Sequence, residues 1–310
     1  MPSRQFRVPP HLLLSLAVLF WAGNLVLGRA VGPDIPPIAL NFWRWTGGGL
    51  ILLPFTARAL WRHRAIIGRH WRTVGALAIT GITAFHSFVY VALKSTTAIN
   101  SSLFMAATPV LIPIFIYGLD RTHLSLRQWA GISLSMIGVV TIITRADWAV
   151  ISALDFNAGD LWMMMAVPLW ALYSVILKRH PVPLPQQVSV LAIITFAVIL
   201  LIPVYGWELA FIGGFELNIA NLASVGYLAL FAAAIGYVFW NRGVAALGAA
   251  KAGLFMHLIP VFTVLLAVIL LGEAFEVFHV FGIALIITGL ILTTRTPSAA
   301  GRSGTAGDTP

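Results

Sequence analysis

Apolar runs broken by charges, proline and glycine fill this chain almost from end to end, and several are long enough to cross a hydrocarbon core as helices. The pattern predicts ten spans, near 12–31, 37–56, 74–93, 100–119, 129–145, 159–177, 186–205, 222–241, 252–271 and 279–294. The run at 129–145 is less oily, with Trp129, Ile132, Met136, Val139 and Val140 carrying it. The pattern also repeats. Leu103-Phe104-Met105, Pro109, Gly131 and Gly138 recur as Leu254-Phe255-Met256, Pro260, Gly282 and Gly289 after about 151 residues. Trp21, Pro36 and Pro54 recur as Trp170, Pro185 and Pro203 after about 149. The predicted fold class is therefore an all-α integral membrane protein of ten transmembrane helices in two five-helix repeats.

Composition leaves the bilayer as the only suitable solvent. Of the 310 residues, 9% are charged and 59% hydrophobic, too little polar surface to face water all round. The N-terminal run from Leu12 to Val31, behind Arg4 and Arg7, could imitate a signal peptide, but it is closer in length to a full span. With no cysteine, disulfides, thiolate metal sites and cysteine nucleophiles are excluded. Neither the histidines nor the few acids are spaced as a metal cage. No metal or other cofactor is expected.

The formal charge of +9 changes meaning once the basic residues are placed. With the N-terminus in the cytoplasm, inside segments hold Arg4, Arg7, Arg58, Arg62, Arg64, Arg69, Arg72, Arg121, Arg127, Lys178, Arg179, Arg242, Lys251, Arg295 and Arg302. Outside segments hold only Arg29, Lys94 and Arg145. That bias sets topology and removes a nucleic-acid partner from consideration. Most acids, Asp34, Asp147, Asp155, Asp160, Glu208, Glu216, Glu273 and Glu276, fall on the opposite side. Because each repeat has an odd number of spans, the two copies must be inverted, related by an axis in the membrane plane. The expected organisation is a cytoplasmic N-terminus (1–11), a first repeat (12–145), an external linker (146–158), a second repeat (159–294) and a small, polar, disordered cytoplasmic tail (295–310).

Leu258-Ile259-Pro260-Val261-Phe262, Leu271-Gly272-Glu273 and the Gly282 to Gly289 spacing resemble the closing motif of the drug/metabolite transporter superfamily, in its ten-helix EamA branch. Ala107-Thr108-Pro109-Val110 with Gly131 and Gly138 is the same motif with wider departures, Thr122 standing where Glu273 stands in the second copy. Phe20-Trp21-Ala22-Gly23-Asn24 is similar to that family's first helix and Asn41-Phe42-Trp43-Arg44 to the start of its second. The resemblance spans about 12–294. It implies an exporter of small metabolites, with neutral or aromatic amino-acid exporters as the suggested branch, while substrate varies within it.

Polar groups inside a bilayer need partners, so each is a candidate site residue. Arg44 lies about 12 Å into its helix at 1.5 Å per residue, where an arginine costs about 2.5–3.5 kcal/mol to insert. It can pair structurally, snorkel outward, or meet a substrate carboxylate. His86 and Tyr90, four apart, share one face of the third helix, and the repeat maps them onto Tyr237 and Asn241, with Trp240 alongside. These faces either line a central cavity or join helices by hydrogen bonds. Trp21 with Asn24, and Trp170 with Tyr173, are further lining candidates, with interfacial anchoring as the alternative. His257 could touch substrate, carry a proton, or be structural. Pro109 and Pro260 remove helical hydrogen bonds and are candidate hinges for gating. Gly47-Gly48-Gly49 reads as close helix packing. The Arg58 to Arg72 stretch reads as a solvated loop on lipid headgroups.

The acids all fall near span ends or in loops, so proton or sodium coupling through a central carboxylate is not expected. Either a histidine moves the proton or the protein runs down its substrate gradient. The expected function is an alternating-access exporter of small metabolites, amino acids first, in the inner membrane with both termini cytoplasmic. Another polar metabolite, a cationic drug or channel-like conduction are the alternatives. No Gly-x-Ser-x-Gly motif or His–acid cluster suggests an enzyme. The expected partners are a small-molecule substrate and the lipid bilayer, with no obligatory protein partner and function as a monomer.

Overall fold

A computed structural model describes residues 8–96, 98–121, 124–144, 147, 149, 157–271 and 276–294. Arg4, Arg7, Thr122, Arg145, Asp155, Gly272, Glu273, most of the expected linker and the expected tail lie outside the described residues. The protein is all-helical, its ten membrane helices forming two inverted five-helix repeats. The first repeat contains α1 (Pro10–Ala30), α2 (Pro37–Arg62), α3 (Trp71–Ala92), α4 (Ala98–Ala106 continued by Thr108–Asp120) and α5 (Leu126–Ile143). The second contains α6 (Ala158–Arg179), α7 (Gln186–Phe211), α8 (Ile219–Leu247), α9 (Ala249–Gly253, Leu254–His257 and Leu258–Leu271) and α10 (Val277–Thr294).

Local chemistry explains where the helices begin. Prolines open α1 and α2, where a missing backbone N–H is harmless. Capping boxes start α5 at Ser125 with Gln128 and α6 at Asn157 with Asp160. The start of α2 is capped from the other repeat: the buried Glu208 carboxylate of α7 accepts from Ile38 N at 3.0 Å and Ala39 N at 2.6 Å. A carboxylate against a helix N-terminus satisfies orphan donors and complements the helix dipole. Among the described residues six of the helices are long and apolar enough to span on length and composition alone. The 26-residue α2 is not among these six, and it is the helix that carries Asn41, Arg44 and three consecutive glycines.

Packing follows the repeat. Helices α2 and α7, equivalent to one another, pack together, as do α5 and α10. The contact of α1 with α8 is matched by that of α6 with α3, and α1 with α9 by α6 with α4. In a twofold arrangement a residue can touch its own equivalent only at the axis. Two hydrogen bonds join residues 151 apart: Ser135 Oγ donates to Ile286 O at 3.2 Å, and His257 Nε2 lies 2.9 Å from Ala106 O. Along α5 and α10, Gly131 lies against Gly289 and Gly138 against Gly282, so the two helices run antiparallel and the repeats are inverted. A Cβ at Gly138 would sit 2.6 Å from Gly282 O, and one at Gly282 2.9 Å from Gly138 O. The repeated glycines thus let two backbones meet on the axis. The expected packing role of Gly47, Gly48 and Gly49 is also seen, against Ala229, Ala233 and Ile194.

Candidate functional site

Four helices bring a closed polar corner to the middle of the bundle. Arg44 of α2 is fully buried. Its Nη1 donates to Asn24 Oδ1 of α1 at 3.1 Å and to the Tyr90 hydroxyl of α3 at 2.9 Å, and its Nη2 donates to Ala232 O of α8 at 3.3 Å. Tyr90 donates in turn to Asn24 Oδ1 at 2.6 Å, completing a triangle. The guanidinium carbon also lies 4.9 Å from the Trp45 ring centroid, over an aromatic face. Arg44 therefore does not snorkel outward. Among the described residues none of its partners is a carboxylate, and its Nε has no partner.

The second repeat builds the same bond with its members exchanged. Tyr173 of α6, at the position of Asn24, donates to Asn241 Oδ1 of α8, at the position of Tyr90, at 2.7 Å. Where α2 carries Arg44, α7 carries Ile193, which is buried and apolar. The scaffold is thus symmetric in its Tyr–Asn link and asymmetric in its charge.

Two wide turns supply backbone acceptors. Helix α3 is π-helical over Ile79–Thr83 and α8 over Leu228–Ile235, at equivalent places. Such turns shift the carbonyl ladder and are frequent at functional sites. Gly81 O of the first accepts from the Tyr237 hydroxyl. Ala232 O of the second accepts from Trp21 Nε1 at 2.9 Å as well as from Arg44.

Beside the polar corner lies an aromatic box. Trp21 meets its own equivalent, Trp170, edge to face at 5.0 Å, and Tyr237 at 5.8 Å; Phe85 packs on Trp170 at 5.0 Å. A pocket here is lined by Trp21, Asn24, Leu25, Phe85, His86, Val89, Met105, Trp170, Tyr237, Met256 and Ile259. Trp21 is the most exposed of these at 7%, so the lining is buried throughout. The pocket is also narrow: a water-sized sphere can centre in about 30 Å³ of it, room for about two waters.

The sequence candidates divide cleanly. Trp21, Asn24, His86, Trp170 and Tyr237 line the pocket. Arg44, Tyr90, Tyr173 and Trp240 stand behind that wall, bonded to it or in ring contact with it, and Asn241 lies one step further out, bonded to Tyr173. Trp21 and Trp170 are core residues rather than interfacial anchors. His257 does not line the pocket; it faces Ala106 on the axis, between the lining residues Met256 and Ile259. The interruptions of α4 at Ala107 and of α9 at Leu254–His257 fall just before Pro109 and Pro260, next to the lining residues Met105 and Met256.

Sequence reasoning passed over Phe85, Met105, Met256 and the two π-helical carbonyls. The Leu-Phe-Met repeat did mark the two methionines as equivalent, but only the fold puts them on one cavity. Among the described residues no three of His, Asp and Glu converge as they would around a metal ion.

Comparison with known proteins gives a consistent picture. The EamA-like transporter family matches residues 9–144 and again 157–295. An uncharacterized transporter of Archaeoglobus fulgidus is 27% identical over 286 residues, covering 92% of this chain and 96% of its own. The uncharacterized transporter YyaM of Bacillus subtilis is 29% identical over 220 residues, 69% of this chain and 70% of its own. A solved crystal structure shares the fold at a TM-score of 0.74 and 22% identity, covering 92% of this chain and 96% of its own.

Proposed function

The chain belongs to the EamA-like transporter family and is an integral membrane transporter, and from that premise we propose that it exports a small carboxylate-bearing metabolite by alternating access through the Trp21–His86–Trp170–Tyr237 pocket. Neutral and aromatic amino acids and the matching acids without an amino group are the classes to test. The observation that carries this reading is Arg44, fully buried with no carboxylate partner among the described residues. A buried cation left with neutral partners is strongly disfavoured, and a substrate anion supplies the missing charge. The aromatic box would hold an apolar or aromatic body by edge-to-face and stacking contacts.

A narrow pocket with a buried lining favours a carrier over an open pore. Inverted repeats supply the rocking motion, and the interruptions beside Pro109 and Pro260 supply candidate hinges. Loading a solute requires the narrow pocket to widen, which fits a binding-linked rearrangement. On this reading the cytoplasmic face carries the basic loops and the membrane is the inner one. The test is counterflow in proteoliposomes with a panel of labelled amino acids and related acids. Saturable exchange that is lost in Arg44→Gln is expected. No saturable exchange for any carboxylate, or wild-type exchange in Arg44→Gln, would end this assignment.

A further inference from the structure

Resting on the reading that this pocket is the transport site, we propose that it selects an organic anion with a carboxylate and an apolar, ring-bearing body but no ammonium group. Buried nitrogens without a hydrogen-bond partner among the described residues surround the pocket: His86 Nδ1 and Trp170 Nε1 in its lining, and Arg44 Nε, Trp45 Nε1, Trp240 Nε1 and Asn241 Nδ2 in the layers behind. Indole, guanidinium and amide nitrogens can only donate, while the histidine nitrogen donates in one tautomer and accepts in the other. Unpartnered buried polar groups in a native fold call for an explanation.

The acceptors facing this region are already engaged. Asn24 Oδ1 receives Arg44 and Tyr90, Ala232 O receives Trp21 and Arg44, Asn241 Oδ1 receives Tyr173, and Gly81 O receives Tyr237. Among the described residues the buried side-chain oxygens without partners are Asn41 Oδ1 and the hydroxyls of Thr46, Ser101 and Thr108, and none lines the pocket. An ammonium brings three donors to a site short of acceptors, beside a cation that no carboxylate neutralises. A carboxylate brings acceptors and the compensating charge. The π faces of Trp21 and Trp170 could attract a cation, but Arg44 sits one hydrogen bond behind Asn24 and already draws on the Trp45 ring. The same shortage of acceptors argues against a zwitterionic amino acid and more strongly against a cationic drug.

The test uses the intact wild-type protein in nanodiscs and three ligands of one skeleton: 3-phenylpropionate, phenylalanine and 2-phenylethylamine. Binding is read by intrinsic tryptophan fluorescence and checked by competition in counterflow. The acid is expected to bind at least tenfold more tightly than phenylalanine, with no saturable signal from the amine. Trp170→Phe, which deletes one indole N–H and keeps a ring, is expected to weaken the acid several-fold and to narrow its advantage over phenylalanine. Phenylalanine binding as tightly as the acid, or more tightly, overturns the selection for anions while leaving the carboxylate site standing. Saturable binding of the amine alone, or of none of the three, overturns both.

Discussion

Each repeat carries the same Tyr–Asn link, and the two part company in charge. In the first, Asn24 and Tyr90 join α1 to α3; in the second, Tyr173 and Asn241 join α6 to α8 with donor and acceptor exchanged between the helices. A bond preserved through such an exchange is one that the scaffold needs. The charge is not preserved: Arg44 closes the first corner and Ile193 stands in the second. A second asymmetry accompanies it, because Glu208 of α7 caps the start of α2 while α2 carries Ala59 at the position equivalent to Glu208. The helix bearing the unpaired cation is thus the one held by the opposite repeat. Structure shared by both corners is scaffold, and on the proposed reading what only one corner has is specificity.

That division is broken most directly by removing the charge. Arg44→Gln is expected to lower transport efficiency by about a hundredfold or more, since losing a desolvated charge partner removes about 2–5 kcal/mol. Its thermal unfolding should stay close to wild type, because an unneutralised buried cation stabilises little. A large fall in melting temperature with unchanged kinetics in the surviving protein would make Arg44 structural instead.

The next test compares the matched tyrosines. Tyr90→Phe removes a hydroxyl that serves both Asn24 and Arg44, so transport should fall about tenfold, an expectation scaled from one buried hydrogen bond to a charged group. Tyr173→Phe removes the equivalent link where no charge is present, and should cost about 1 kcal/mol of stability with transport near wild type. Equal kinetic effects in the pair would erase the distinction between the corners.

The smaller effect lies at the helix start. Glu208→Ala leaves Ile38 N and Ala39 N without their carboxylate and should destabilise by about 2 kcal/mol. A lower melting temperature with substrate affinity retained is expected. An unchanged melting temperature would show that the cap contributes nothing to stability.

Much of the architecture was legible in the residues because it follows from period and charge. Apolar run lengths marked the helices, and the paired Leu-Phe-Met, proline and glycine positions marked the repeat. Odd span counts then required inversion, which the Gly131–Gly289 and Gly138–Gly282 contacts bear out. The polar members of the central layer were legible for a related reason: an arginine, asparagine or histidine within a span is conspicuous against a hydrocarbon background.

What stayed hidden was whatever carries no residue code. Nothing in Ile79–Thr83 or Leu228–Ile235 announces a π-helical turn, so the carbonyls of Gly81 and Ala232 could not be foreseen. Phe85, Met105 and Met256 look like any other core residue until the fold turns them onto one cavity. Glu208 read as an acid near a span end, and only the packing of α7 on α2 makes it a cap. His257 drew notice as a titratable group, yet its place is the symmetry axis against Ala106.

The central claim, that the unmatched cation of the first repeat supplies the charge that holds an anion in the pocket, is tested most directly by titrating 3-phenylpropionate into wild type, Arg44→Lys and Arg44→Gln by isothermal calorimetry. Saturable binding to wild type is expected, weaker binding to Arg44→Lys because a compact ammonium cannot keep the bonds to Asn24, Tyr90 and Ala232 together, and none detectable to Arg44→Gln. Binding to Arg44→Gln with the wild-type Kd would contradict it.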